Sequence, residues 1–192
     1  QDMPTSYGVA FGPIKLLFDY SLNSIIVDPR GFVVTAFKAR FLASDGNVPE
    51  YPFTPAAMPD VPQSQDVTGD VLLSDFVINS GTYAAYSTGQ LKLLVTPDMV
   101  PAASPIKLDT ASIGKVVPQM AQHYPQPLPV QLAIGTSTYP TVIETPNGAL
   151  IQINITSAVQ VIENSTVTTA FVMNLSLFAQ VSNVSAASLN NG

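Results

Sequence analysis

The sequence predicts an α+β fold in which a long, strongly twisted antiparallel sheet wraps around amphipathic helices. Three observations carry that prediction. Apolar and polar residues alternate over 151–161 and again over 167–181, the period of a half-buried strand. Residues 76–88 abandon strict alternation, and Phe76, Val77, Tyr83, Ala84 and Tyr86 fall near the 3–4 spacing of a helix. Five prolines gather in 44–65, where a central strand is disfavoured because proline lacks the amide donor and fixes φ.

Taken in order, the chain opens with short apolar runs over 7–22, broken at Gly12-Pro13. Residues 14–22 read as a strand, and Gly8 and Gly12 as isolated turn residues. The stretch 31–43, GFVVTAFKARFLA, places Val33, Thr35, Phe37, Ala39, Phe41 and Ala43 on one phase and Lys38 and Arg40 on the other. This predicts one strand with a wet face. The proline-rich 44–65 reads as an extended crossing rather than a disordered linker, because Tyr51, Phe53 and Met58 are unusual in one.

Residues 70–73 read as the end of a strand. Ser74 or Asp75 can cap the helix that follows, and Gly89 stands where a helix ends on a left-handed residue. A strand over 91–95 comes next. Asp109 or Thr110 can start a second helix, which Pro118 breaks or restarts until Pro125. The two alternating segments of the last third, joined at Glu163-Asn164-Ser165, form a long hairpin with one dry and one wet face. Periodicity alone leaves the apolar face of 76–88 open: it fills a core, or it lines something else.

Charge and chemistry exclude several function classes. The chain of 192 residues is 46% hydrophobic and only 10% charged, where about 25% is usual. Net charge is −6, and no Lys or Arg follows Lys115. Nucleic acid needs clustered cations to displace counterions, and a polybasic membrane patch needs them too. Neither fits, so any peripheral membrane contact would be apolar. Cysteine is absent, which removes disulfides, thiolate metal sites and Cys nucleophiles. The single histidine, His123, sits at a helix end with no catalytic partner motif, and the carboxylates lack metal-ligand spacing. No enzyme, metal or cofactor is expected. Four Asn-x-Ser/Thr sequons begin at Asn154, Asn164, Asn174 and Asn183 and are candidate glycan acceptors. Asn164 is the first choice, at the hairpin tip. Asn154 and Asn174 lie on the polar phase of their strands.

The stretch LLSDFVINSGTYAAYSTGQLKLLVTPDMVP resembles the start of the C-terminal domain in one family. That family holds bactericidal/permeability-increasing protein, lipopolysaccharide-binding protein, and the cholesteryl ester and phospholipid transfer proteins. Ser74, Asp75, Phe76, Asn79, Tyr86 and Gly89 match the family pattern. The agreement continues in order through Asp98-Met99-Val100-Pro101, 108–114, Pro118, Tyr124-Pro125 and the hairpin with its Asn164 sequon. Upstream, FDYSLNS resembles the last strand of the family's N-terminal barrel. GFVVTAFKARF and PFTPAAMPDVP resemble its central sheet and interdomain crossing.

The resemblance implies a tubular lipid-binding barrel, here partial. Residues 1–65 would form the end of the N-terminal barrel, a central-sheet strand and the crossing, and 66–192 part of the C-terminal barrel. It implies a secreted glycoprotein that holds phospholipid acyl chains in an apolar pocket, with Phe76, Val77, Tyr83 and Ala84 on the pocket side of the helix. A role in innate defence through lipopolysaccharide is implied more weakly, since the basic tip of the bactericidal members belongs to a part not matched here. The matched portion is short of the family's full length. The partners implied are therefore an acyl lipid and the remainder of the same polypeptide or a second processed chain. The alternative is a structural or interaction glycoprotein that keeps the fold and binds no lipid.

Overall fold

The computed structural model describes residues 5–29, 31–57, 71–146 and 148–182. In chain order the elements are β1 (Ser6–Phe11), β2 (Ile14–Asp19), β3 (Leu22–Asp28), β4 (Phe32–Phe37), β5 (Arg40–Ala43), α1 (Asp75–Ser87) and β6 (Lys92–Val95). A 3-10 turn (Pro97–Met99) precedes α2 (Thr110–Gly114), α3 (Pro118–His123), β7 (Val130–Thr136), β8 (Thr141–Thr145), β9 (Gly148–Glu163) and β10 (Thr166–Ser182). The pairings β1–β2, β2–β5, β3–β4, β6–β7, β7–β9 and β8–β9 are antiparallel, and with the helices they make the α+β class the sequence predicts. The chain divides into two compact units, one of residues up to 90 with 139–152 and those from 178, the other of 91–138 with 153–177. The boundary expected between 65 and 66 lies outside the described residues.

In the first unit, β1 and β2 form a hairpin, and β5 pairs with the far edge of β2. Gly12 turns that hairpin at φ +60°, a conformation glycine adopts without steric cost. Gly8, expected in a turn, instead lies within β1. β3 and β4 make a separate two-stranded ribbon. The single strand expected over 31–43 is therefore two, β4 and β5, with different partners. The break falls at Lys38-Ala39, where Ala39 takes φ +44° and no extended ladder can continue through it. In β4 the phase of Phe32, Val34 and Ala36 is the better covered one, while Val33 and Phe37 are exposed.

α1 runs over the residues its spacing predicts. Its C-terminus is a Schellman motif: the Gly89 amide donates to Tyr86 O, the Gln90 amide to Ala85 O, and Gly89 takes φ +71°. Its N-terminus departs from expectation. Ser74 holds the cap position without a side-chain cap hydrogen bond, and Asp75 lies in the first turn, where its charge favours the helix dipole. Val71, Leu72 and Leu73 are exposed and belong to no strand, against the strand end expected there.

The second unit packs α2 and α3 on a sheet of order β10-β9-β7-β6. Its core is Met120, Val130, Val159 and Val161, with Ile113, Val117, Tyr124, Leu128 and Phe171 around it. Asp109 caps α2 by accepting from the Ser112 amide at 2.6 Å, and Pro118 begins α3 at a position where its missing amide costs nothing. The hairpin turn is Asn164-Ser165, with φ +48° and +66°. Two positive φ values are the type I′ geometry that matches strand twist. The dry face expected along the whole hairpin is covered in β9, but in β10 only around Phe171. In β10, Val167, Met173, Leu175, Leu177 and Val181 are exposed, because alternation sets which way side chains point and not what covers them.

Candidate functional site

The site begins with how closely α1 approaches its sheet. Ser80, Gly81, Ala84 and Ala85 are buried on the helix, and their small side chains let the backbones come near. A methyl added at Gly81 would stand 3.0 Å from the Phe41 ring. The Ser80 hydroxyl accepts from the Phe41 amide at 3.0 Å and donates to Val77 O at 2.8 Å. On another flank, Asn79 grips one residue of β8 twice. Its Nδ2 donates to Val142 O at 2.8 Å, and its Oδ1 accepts from the Val142 amide at 2.7 Å. The Thr82 hydroxyl donates to Pro140 O.

Phe76 and Tyr83 are two turns apart and share a face. They meet Tyr51 and Phe53 from the proline-rich segment and Tyr139 ahead of β8. Ring centroids lie 5.5 Å apart for Tyr51–Phe76, 5.7 Å for Phe53–Phe76, 5.6 Å for Phe53–Tyr139 and 5.2 Å for Tyr83–Tyr139. Phe53–Tyr139 is tilted and the other three are edge-on; aromatic pairs of these kinds contribute roughly 0.5–1.5 kcal/mol each beyond the area they bury. The cluster thus pins the segment around Tyr51 and Phe53 to the helix.

Beside the cluster lies an open cavity of about 540 Å³, lined by Ala43, Pro49, Tyr51, Pro52 and Tyr83 with Asp45, Asn47, Glu50, Ser87 and Thr88 at its polar parts. Its volume falls within the roughly 300–1,000 Å³ usual for small-molecule sites. The lining contains two carboxylates and no cation. Beneath Tyr51, Asp19 is 7% exposed and accepts from Arg40 Nε at 3.0 Å and from the Ser21 amide. Burial works against its charge, but the Ser21 and Arg40 interactions prevail and hold the carboxyl below its ordinary range. The Ser21 hydroxyl stands near that carboxylate without meeting hydrogen-bond geometry. The Tyr51 hydroxyl donates to Phe41 O, and burial pushes the phenol's pKa up while the Arg40 charge pulls it back.

The four helix residues singled out by sequence are distributed unevenly. Tyr83 lines the cavity. Phe76 is 8% exposed within the aromatic cluster, Ala84 is fully buried, and Val77 is half-buried. Sequence reasoning missed Tyr51, Phe53 and Tyr139 as their companions. The signal available was aromatic residues in a proline-rich segment that had no other reason to carry them.

Of the sequons, Asn164 is exposed at the hairpin tip. Asn154 lies in β9 and Asn174 in β10, and Asn183 lies outside the described residues. Among the described residues no helix is long and apolar enough to cross a membrane, and no group of three or more acidic or His side chains could hold a metal.

A family model described as the LBP / BPI / CETP family, C-terminal domain, matches residues 14–188. The chain is 37% identical over 158 residues to a bactericidal permeability-increasing protein of Sebastes schlegelii, covering 82% of this chain and 33% of that protein. It is 33% identical over 70 residues to a lipopolysaccharide-binding protein of Homo sapiens, covering 36% of this chain and 15% of that protein. A crystal structure of lipopolysaccharide binding protein aligns with a TM-score of 0.44 at 20% identity, over 85% of this chain and 34% of that one. The chain thus spans a third or less of the length of these relatives.

Proposed function

The chain belongs to the LBP/BPI/CETP family, and on that premise we propose that it is part of a secreted lipid-binding or lipid-transfer protein. The observation that carries this reading is the cavity of about 540 Å³ walled by Tyr51, Pro52 and Tyr83 against the aromatic cluster of α1. The mechanism is physical rather than chemical. An acyl chain leaving water gains about 0.8 kcal/mol per buried methylene. It gives up similar burial on leaving a bilayer, so the net is small and exchange is possible.

The lining also favours one part of the lipid over another. Asp45 and Glu50 with no cation among the lining residues repel an anionic phosphate. The acyl chains of a phospholipid fit this wall better than its head does. The names of the relatives support a lipopolysaccharide-directed role in innate defence, but the phosphates of such a ligand would need cations that this cavity lacks. Membrane contact would be apolar.

The second reading is an interaction glycoprotein with no lipid bound. The burial of Phe76 and Ala84 within the protein favours it, since rings already occupied by one another need no ligand. Purified chain incubated with phosphatidylcholine vesicles, separated from them and examined by native mass spectrometry decides between the two. Retained phospholipid, reduced several-fold by Tyr83→Ala, is the expected result. No lipid retained after gentle separation would overturn the proposal.

A further inference from the structure

Two of the sequons are locked together. The Thr156 hydroxyl of the first donates to Asn174 Oδ1 at 3.0 Å, and the Ser176 hydroxyl of the third donates to Asn154 Oδ1 at 2.9 Å. Each sequon's hydroxyl thus serves the other's asparagine, across the β9–β10 pair. Asn154 is engaged a second time, its Nδ2 donating to Thr138 Oγ1 at 3.2 Å. That nitrogen is the atom a glycan would need. Asn164 differs in kind. It occupies the first central position of the type I′ turn, which asparagine enters readily, and it is exposed with exposed neighbours on both sides.

We infer that the hairpin divides its sequons by role: Asn164 carries an N-linked glycan, and the Asn154 and Asn174 sequons form a cross-strand clasp in which Asn154 stays unmodified. In transfer, the Asn164 amide nitrogen displaces the lipid pyrophosphate from the anomeric carbon of a lipid-linked sugar donor. The C–N bond to the anomeric carbon forms, the C–O bond to pyrophosphate breaks with the electron pair leaving on the phosphate, and one amide proton passes to solvent. Timing favours the division. A two-residue hairpin closes in about 1–10 μs, whereas synthesis adds about 5–20 residues per second. The clasp forms as soon as both strands are present, with β9 already held by β7. The tip stays open throughout.

This inference rests on the proposed secretion, so the experiment supplies its own signal peptide and makes the two failures separable. The chain is secreted from cultured animal cells and deglycosylated in heavy-oxygen water, and the converted asparagines are mapped. Cleavage after Glu144 and Glu163 isolates Asn154 from the later sequons, and cleavage after Phe171 isolates Asn164 from Asn174. Conversion at Asn164 without conversion at Asn154 is expected. Thr166→Ala, which destroys the sequon but keeps the turn asparagine, should remove one glycan's gel shift and leave the circular dichroism spectrum unchanged. Secreted chain with Asn164 unconverted, or with Asn154 converted as fully as Asn164, would overturn the inference.

Discussion

β9 and β10 are partners in one hairpin and carry the same alternation, yet they end in different surroundings. In β9 the apolar phase is sealed toward its C-terminal end: Val159 is 1% exposed and Val161 equally so. In β10 the same phase holds Met173, Leu175 and Leu177, and Leu175 is 54% exposed. The difference comes from cover. Met120 of α3 and Val130 of β7 pack on Val159 and Val161, whereas among the described residues β10 keeps only Ala170 and Phe171 against that core, and of these only Phe171 belongs to the apolar phase. Alternation therefore reports two-sided chemistry, and burial needs a second layer whose position no single strand encodes.

The largest test of this contrast is a buried charge. Val159→Asp should cost more than about 4 kcal/mol, since an unpaired carboxylate would sit among apolar side chains. Leu175→Asp should stay within about 0.5 kcal/mol. Urea denaturation of both variants measures the gap, and comparable losses would mean that β10 is covered in solution. Next comes the cover itself. Met120→Ala should cost about 3 kcal/mol by leaving a cavity over Val159 and Val161, with thermal unfolding as the readout.

The contrast between covered and uncovered extends to charge. Asp19 is covered, and Arg40→Met leaves it without its ion partner, at a cost of about 2 kcal/mol, below the range for fully buried pairs because Arg40 is partly exposed. The folded pKa of Asp19 lies below its unfolded value. Its contribution is therefore complete above the unfolded value near about 4 and is lost as pH falls through the lower folded one. Stability of the parent chain should fall with acid in that window, more steeply than that of Asp19→Asn. The smallest effect belongs to the shared turn. Ser165 holds φ +66°, so Ser165→Gly should stabilise the hairpin by about 1 kcal/mol while preserving the Asn164 sequon.

Local signals were legible wherever one residue type has one physical use. Gly89 marked the end of α1, Asp109 the cap of α2, Pro118 the start of α3, and Glu163-Asn164-Ser165 the hairpin turn. The break at Ala39 was invisible because alanine does not announce a left-handed φ. β7 and β8 went unread, although Val130, Leu132 and Ile134 alternate. The candidate site was half legible. Helical spacing put Phe76 and Tyr83 on one face, but their companions Tyr51, Phe53 and Tyr139 come from distant segments that only the fold brings together.

The double hydrogen bond from Asn79 to Val142 has a consequence for assembly. A helix side chain here offers β8 the same donor and acceptor that a neighbouring strand would offer, on the side away from β9. It occupies one rung of a sheet edge that could otherwise recruit another chain. It also selects one register, because a slip of one residue would turn the matching amide and carbonyl to the opposite side. One carboxamide thus acts as an end-stop, occupying at Val142 the place that the next strand's backbone would take.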